Sequence, residues 1–333
     1  MRILVWHVHG SWTTAFVQGP HEYVVPVLPD RGPDGRGRAR TWDWPASVRE
    51  LGPEDLRRSE PELVVLQRPH ELELVEQWTG WRPGHDIPAV YLEHNTPGGN
   101  VPFSRHPLAD QDRIPIVHVT HFNQMIWDCG GAPTRVVEHG IPDPGNRYTG
   151  ELARAAVVVN DPLRRGRAVG ADLVADLAEA VPVDLFGMGA EAFGRQLELG
   201  DRLRVYEDVP QDRMHGQLAR RRVYVHTARW TSLGLSLVEA MQLGMPVVAL
   251  AATEAVRAVP PSAGALVTSP EELVTAVVRL VDDPDEARAS GRRAREEALR
   301  RYGLERFLAD WDSVLEAAVN RSSVDAAHQR SDA

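Results

Sequence analysis

Residues 231–250 read TSLGLSLVEAMQLGMPVVAL, and one carboxylate, Glu239, stands among Leu235, Leu237, Val238, Ala240 and Met241. The spacing predicts a short apolar helix that Ser232 caps and Gly244 ends, with Pro246 opening a strand. An unpaired carboxylate in such surroundings costs several kcal/mol. Glu239 therefore either hydrogen-bonds a ligand, for which the adjacent hydroxyls of a ribose are suited, or lies on an exposed helix face. The free N–H groups at the helix start form an anion site, and Gly234 lets a ligand approach the backbone closely. A second stretch, NDPLRRGRAVGADL at 160–173, sets Arg164, Arg165 and Arg167 between a strand and a helix. Guanidinium groups there would neutralise charge on a departing diphosphate, or else form a solvated basic turn. His94 stands at the end of the strand-like PAVYLEH, and His9, Gly10 and Ser11 follow the first strand-like run.

The elements that position these residues alternate in type. In the first half, strand-like runs lie at 3–6, 23–28, 63–67, 88–94, 114–120 and 134–141, with helical spacing between several of them. The Pro- and Gly-rich DPGNRYTGEL at 143–152 reads as a link. The alternation then restarts, with strands expected at 155–160, 181–187, 203–209, 222–227, 245–250 and 264–267. Such alternation implies parallel sheets with right-handed crossovers, hence an α/β chain of two doubly wound domains with ligands bound in a cleft. A charged surface helix ending at Gly303 comes next. A final amphipathic helix follows, with Phe307, Leu308, Trp311 and Leu315 on one face, and the polar tail after Asn320 is expected to be disordered.

Composition excludes several classes. The 333-residue chain has a net charge of −10, which argues against nucleic acid as a partner. All 37 basic residues are arginine, so neither a Schiff-base lysine nor a lysine-bearing phosphate loop is available. The single cysteine, Cys129, permits no internal disulfide and fits a cytoplasmic setting. No run is long enough to span a membrane, and MRILVWHVHG reads as a strand rather than a signal peptide. His7 with His9, His118 with His121, and the pairs Asp110-x-Asp112 and Asp310-x-Asp312 complete no metal-ligand spacing, so no metal is expected. The arginine-rich loop 31–40 is expected to be mobile and solvated, or to meet an anionic acceptor or a membrane surface. Trp12, Trp42 and Trp44 either stack on a sugar ring or pack internally.

SLGLSLVEAMQLGMPVVAL resembles the donor-site signature of family-4-type retaining glycosyltransferases with the GT-B fold. VVEHGIPDPG, VDLFGMG and the segment DRLRVYEDVPQDRMHGQLARRRVYVHTARW look like further parts of that family's pattern, so the resemblance covers nearly the whole chain. It implies two Rossmann-like domains facing across a cleft: an acceptor domain at 1–148 and a donor domain at 149–303. A crossover helix at 304–320 returns to the first domain, ahead of a disordered tail at 321–333. It also implies a nucleoside-diphosphate sugar as donor and a small molecule, glycan or glycolipid as acceptor. Neither metal nor cofactor is needed, and peripheral membrane contact is compatible with it. In this reading Glu239 holds the ribose, and the amides of Ser232, Leu233, Gly234 and Leu235 meet the diphosphate or sugar. Arg165, with Arg164, takes the place of the family's lysine in clamping the diphosphate. His94 approaches the donor sugar, and the loop of His9, Gly10 and Ser11 lies by the donor phosphates and the acceptor. Two departures stand out. Thr231 occupies the position of the family's first glutamate, and Val159-Asn160 stand where an upstream arginine is usual. A nucleotide-sugar epimerase or an idle nucleotide-sugar-binding protein would share the same fold.

Overall fold

The structure, a computed structural model, describes residues 1–40 and 42–321, together with the helical course of the chain to Ser331. It contains two compact units, Met1–Ile141 with Leu304–Ala333, and Pro142–Gly303.

The first unit is built on β1 (Arg2–Val5), β2 (Glu22–Pro26), β3 (Val48–Leu51), β4 (Leu63–Leu66), β5 (Ala89–Glu93), β6 (Ile116–His118) and β7 (Thr134–Val136). Helices α1 (Gly10–Phe16), α2 (Pro53–Leu56), α3 (Glu71–Thr79) and α4 (His121–Ile126) punctuate them. The sheet runs β3-β2-β1-β4-β5-β6-β7 and is parallel throughout. Side chains alternate across it. Ile3 and Val5 enter one core, with Trp12 and Phe16, while Leu4 and Trp6 enter the other, with Leu56 and Val75.

The second unit holds β8 (Leu152–Val158), β9 (Val183–Gly187), β10 (Leu203–Glu207), β11 (Arg221–His226), β12 (Val247–Leu250) and β13 (Gly264–Val267). Its helices are α5 (Pro162–Arg165), α6 (Leu173–Ala180), α7 (Ala190–Leu197), α8 (Gln211–Leu218), α9 (Leu235–Leu243), α10 (Ala255–Ala258), α11 (Pro270–Asp282) and α12 (Pro284–Tyr302). The parallel sheet runs β10-β9-β8-β11-β12-β13. Asp184 of β9 is fully buried because the guanidinium groups of Arg154 and Arg221 close on its two oxygens. Helix α12 is not merely a surface helix. Ala287, Gly291, Ala294 and Ala298 form a buried stripe, and Gly291 lies so close to the Gly244 carbonyl that a Cβ would overlap it.

A last helix, α13 (Leu304–Ser331), belongs to the first unit, where Phe307, Trp311 and Leu315 join the core of Trp12 and Phe16. The expectation of a disordered tail at 321–333 lies, Arg321 apart, outside the residues described with their side chains.

Strand β3 escapes the sequence pattern, and the loop before it is not a free, solvated one. Arg31 forms a two-pronged ion pair with Glu50 of β3, at 2.9 and 3.1 Å. Arg38 donates to the carbonyls of Trp44, Pro45 and Val48. Trp12 and Trp44 are core residues, and the Trp44 indole N–H donates to Thr14 Oγ1. No helix of the described residues is long and apolar enough to cross a membrane.

Candidate functional site

Each sheet reverses its strand order once, between β1 and β4 in the first and between β8 and β11 in the second. Outside the carboxyl ends of strands, such a reversal parts the flanking loops and leaves a crevice. The residues singled out in the sequence follow these strands. Asn160–Arg167 follow β8, Thr231–Leu235 follow β11, His9–Ser11 follow β1, and His94 follows β5.

In the second unit the two loops are joined directly. Thr227 Oγ1 donates to the Val169 carbonyl at 2.7 Å, and the amides of Arg229 and Trp230 donate to the Ala168 carbonyl at 2.9 and 3.0 Å. Gly170, at φ +70°, makes the approach possible, since a Cβ would overlap the Thr227 carbonyl. The arginine loop and the turn before α9 are thus held side by side.

The three arginines of that loop differ. Arg164 pairs with Asp161 at 2.7 Å and Arg167 with Asp172 at 2.8 Å. Arg165 has no partner among the described residues and is half-buried; burial and the neighbouring Arg164 charge push its pKa down. Of the three it is the one whose guanidinium has no hydrogen bond or close ion pair among the described residues, with Asp161 attracting it from a distance. Gly166 beside it faces open space. Asn160, where the expected upstream arginine is missing, accepts from the Met188 amide at 3.0 Å and fastens the loop to the end of β9.

Helix α9 begins later than Ser232 suggests. Its cap is Gly234, with no side-chain capping bond, so Ser232 lies in the turn and Glu239 about one turn into the helix. Gly234 serves packing: a Cβ there would lie 2.6 Å from the His226 ring. The amides of Ser232, Leu233, Gly234 and Leu235 donate to nothing among the described residues. Thr231 Oγ1 is buried without a partner among the described residues. Glu239 is buried, not on an exposed face, and it is paired. Gln211 Nε2 donates to Oε1 at 2.6 Å, and His215 Nε2 stands 3.4 Å from Oε2 without hydrogen-bonding alignment.

In the first unit, His94 is buried, and its Nε2 lies 3.0 Å from Gln67 Oε1. The His9 ring is 3.9 Å away, centroid to centroid, and Trp12 meets His94 edge-on at 5.3 Å. Burial, with the nearby His9 and His139, holds His94 well below the usual histidine pKa. Burial also lowers His9 to about 4, helped by the Arg36 and Arg68 charges, and His139 to about 3. All three imidazoles are neutral near pH 7. His7 and His9 lie beyond the end of β1, so they share no strand face. Among the described residues no three His, Cys, Asp or Glu side chains gather as a metal site would require.

Residues 190–297, which include α9 and its turn, match the family described as glycosyl transferases group 1. The second unit therefore carries a glycosyl transferases group 1 segment, and the fold is GT-B. HepE from Anabaena, solved with UDP, superposes with a TM-score of 0.69 at 14% identity, over 95% of this chain and 100% of its own. Sucrose-phosphate synthase from Thermosynechococcus elongatus gives 0.74 at 14% identity, over 97% and 100%. A glycosyltransferase from Rickettsia africae gives 0.68 at 11% identity, over 96% and 98%. No curated protein matches in sequence.

Gln67, Gln211, His215 and His226 were not singled out in the sequence. Gln211 and His215 carried the one usable signal, four-residue spacing that sets both on one helix face.

Proposed function

We propose that this GT-B protein transfers a sugar from a nucleoside-diphosphate sugar to an acceptor, with retention at the anomeric carbon. The reading rests above all on Glu239. It is a buried carboxylate one turn behind four undonated amides, inside the group 1 segment and beside a loop with one unpaired guanidinium. Glu239 takes the ribose hydroxyls, with Gln211 and His215 setting its orientation. The amides of Ser232 to Leu235 and the guanidinium of Arg165 take the diphosphate, and Arg164 adds charge nearby. As the glycosidic bond breaks, negative charge gathers on the leaving phosphate, where Arg165 stabilises it. In the first unit His94 serves transfer as a neutral hydrogen-bonding group near the donor sugar, and the His9–Ser11 loop contacts donor phosphate and acceptor. The HepE complexes with UDP and with UDP-glucose support a uridine donor.

Calorimetric titration with UDP, GDP, ADP and dTDP tests the donor site. Glu239→Ala and Arg165→Ala should each weaken the preferred nucleotide roughly tenfold or more, the range of a lost charge-assisted hydrogen bond. Unchanged affinity in both variants would sink the assignment. NMR of the product's anomeric proton decides retention. Thr231, in place of a carboxylate for the sugar, favours a second reading as an idle binding protein, which prevails if the nucleotide binds and no sugar is turned over.

A further inference from the structure

The loop 29–40 walls a cavity of about 520 Å³ in the first unit, lined by His7, Asp30 and the four arginines Arg31, Arg36, Arg38 and Arg40, with Pro29 beside them. The loop is built, not loose. Its Asp34 carbonyl accepts from the Trp6 indole at 3.0 Å, its Gly37 carbonyl binds His7 Nδ1 at 3.0 Å, and the Arg38 amide donates to Glu50 at 2.7 Å. Gly37 lies at φ +69°, and a Cβ there would run into the Glu50 carboxylate.

Within this frame the arginines divide by task. Arg31 is neutralised by Glu50, and Arg38 spends its donors on three carbonyls but keeps its charge. Arg36 and Arg40 are exposed at the cavity and have no partner among the described residues. Three charges, Arg36, Arg38 and Arg40, face one carboxylate, Asp30, whose Oδ1 already accepts the Gly32 amide at 3.1 Å. The balance, three minus one, is about two positive charges in a chain whose net charge is −10. A phosphomonoester carries nearly two negative charges near pH 7. His7 links this cavity to the loop after β1. Its Nδ1 faces a carbonyl and so carries the proton, leaving Nε2 as an acceptor on the side of Gly10.

We propose that Arg36 and Arg40 bind a phosphate monoester carried by the acceptor. The naming of the bound molecule as acceptor rests on the transferase reading above; the anion site itself does not. A soluble sugar or polyol phosphate and a phosphorylated lipid headgroup share this chemistry.

Two probes separate them: sn-glycerol 3-phosphate in calorimetry, and phosphatidylcholine vesicles with and without phosphatidic acid in flotation. Arg36→Gln/Arg40→Gln should weaken the bound probe at least tenfold while leaving UDP affinity and Tm unchanged. Arg36→Lys/Arg40→Lys should restore part of the loss. Arg165→Gln should do the reverse, weakening UDP and sparing the phosphate probe. Binding of glycerol phosphate supports a soluble acceptor, and binding of phosphatidic acid vesicles alone supports a lipid one. Either probe binding equally to wild type and to Arg36→Gln/Arg40→Gln, or neither binding wild type, overturns the proposal. If UDP binds nowhere yet the probe depends on Arg36 and Arg40, the transferase reading falls and the anion site stands.

Discussion

Gln67 decides the protonation of His94. Its side-chain N–H donates to the Trp6 carbonyl at 2.6 Å, an atom that can only accept, so the amide oxygen must be the end that faces His94 Nε2. His94 therefore carries its proton on Nε2 and keeps Nδ1 as a lone pair. Nitrogen-15 spectra of histidine-labelled protein should show that tautomer in the wild type and a mixture in Gln67→Leu; a mixture in the wild type would refute it. The same substitution removes one of the two donors to the buried Trp6 carbonyl, which keeps the Val8 amide at 3.1 Å, so Tm should register a loss of about 1 kcal/mol. Glu239 was legible in the sequence because a carboxylate among leucines and valines demands a partner. The partners themselves were not, since Gln211 and His215 meet it from a separate helix and only packing brings helices together.

Among elements, the junction of the β8 and β11 loops is the feature on which the proposed donor site depends. Gly170→Ala would force a Cβ into the Thr227 carbonyl at a φ of +70°. We expect a loss of about 3 kcal/mol or more, read by denaturant titration, and weaker nucleotide binding as Arg165 moves with its loop. Unaltered stability would show that the loops tolerate separation. The alternation of buried runs and helical stretches reveals twelve of the thirteen strands among the described residues in outline, because strands covered on both faces are nearly pure apolar runs such as Leu63–Leu66. The exception, Val48–Leu51, is an edge strand of sequence VREL whose Glu50 serves the loop before it and whose Arg49 is exposed, so its pattern is polar. The start of α9 departs from the sequence pattern for a similar reason. Ser232 has a capping side chain, but the His226 ring beneath the turn requires glycine at 234 and sets the helix start there.

Over the whole molecule, buried neutral histidines are unevenly shared. His94, His118 and His139, besides His106 paired with Glu93 at 3.2 Å, are buried in the first unit, with His9 more open beside them; in the second, His226 is the buried counterpart. Burial lowers His118 and His226 to about 4, His139 to about 3, and His94 well below its usual value. In the unfolded chain each takes its proton near 6.5. Below that pH the unfolded state binds more protons, so stability falls as pH drops, by at most about 1.4 kcal/mol per pH unit for each histidine. The decline runs from about 6.5 down to the folded values. Glu71, raised by burial, opposes it with one proton in the upper part of the acid range. The carboxylates held low by arginines or backbone amides, such as Glu50, Asp143 and Glu207, lose their contribution only below about pH 4.5. With His94, His118, His139 and His9 held low against His226, the first unit should lose its structure at higher pH than the second. Eight of the nine tryptophans lie in it, Trp230 being the exception, so indole fluorescence reports that unit. Its acid transition should precede the loss of hydrogen-exchange protection in α9 and α11 of the second unit. Simultaneous loss in both units, or loss in the second first, would show that these histidines do not govern acid stability.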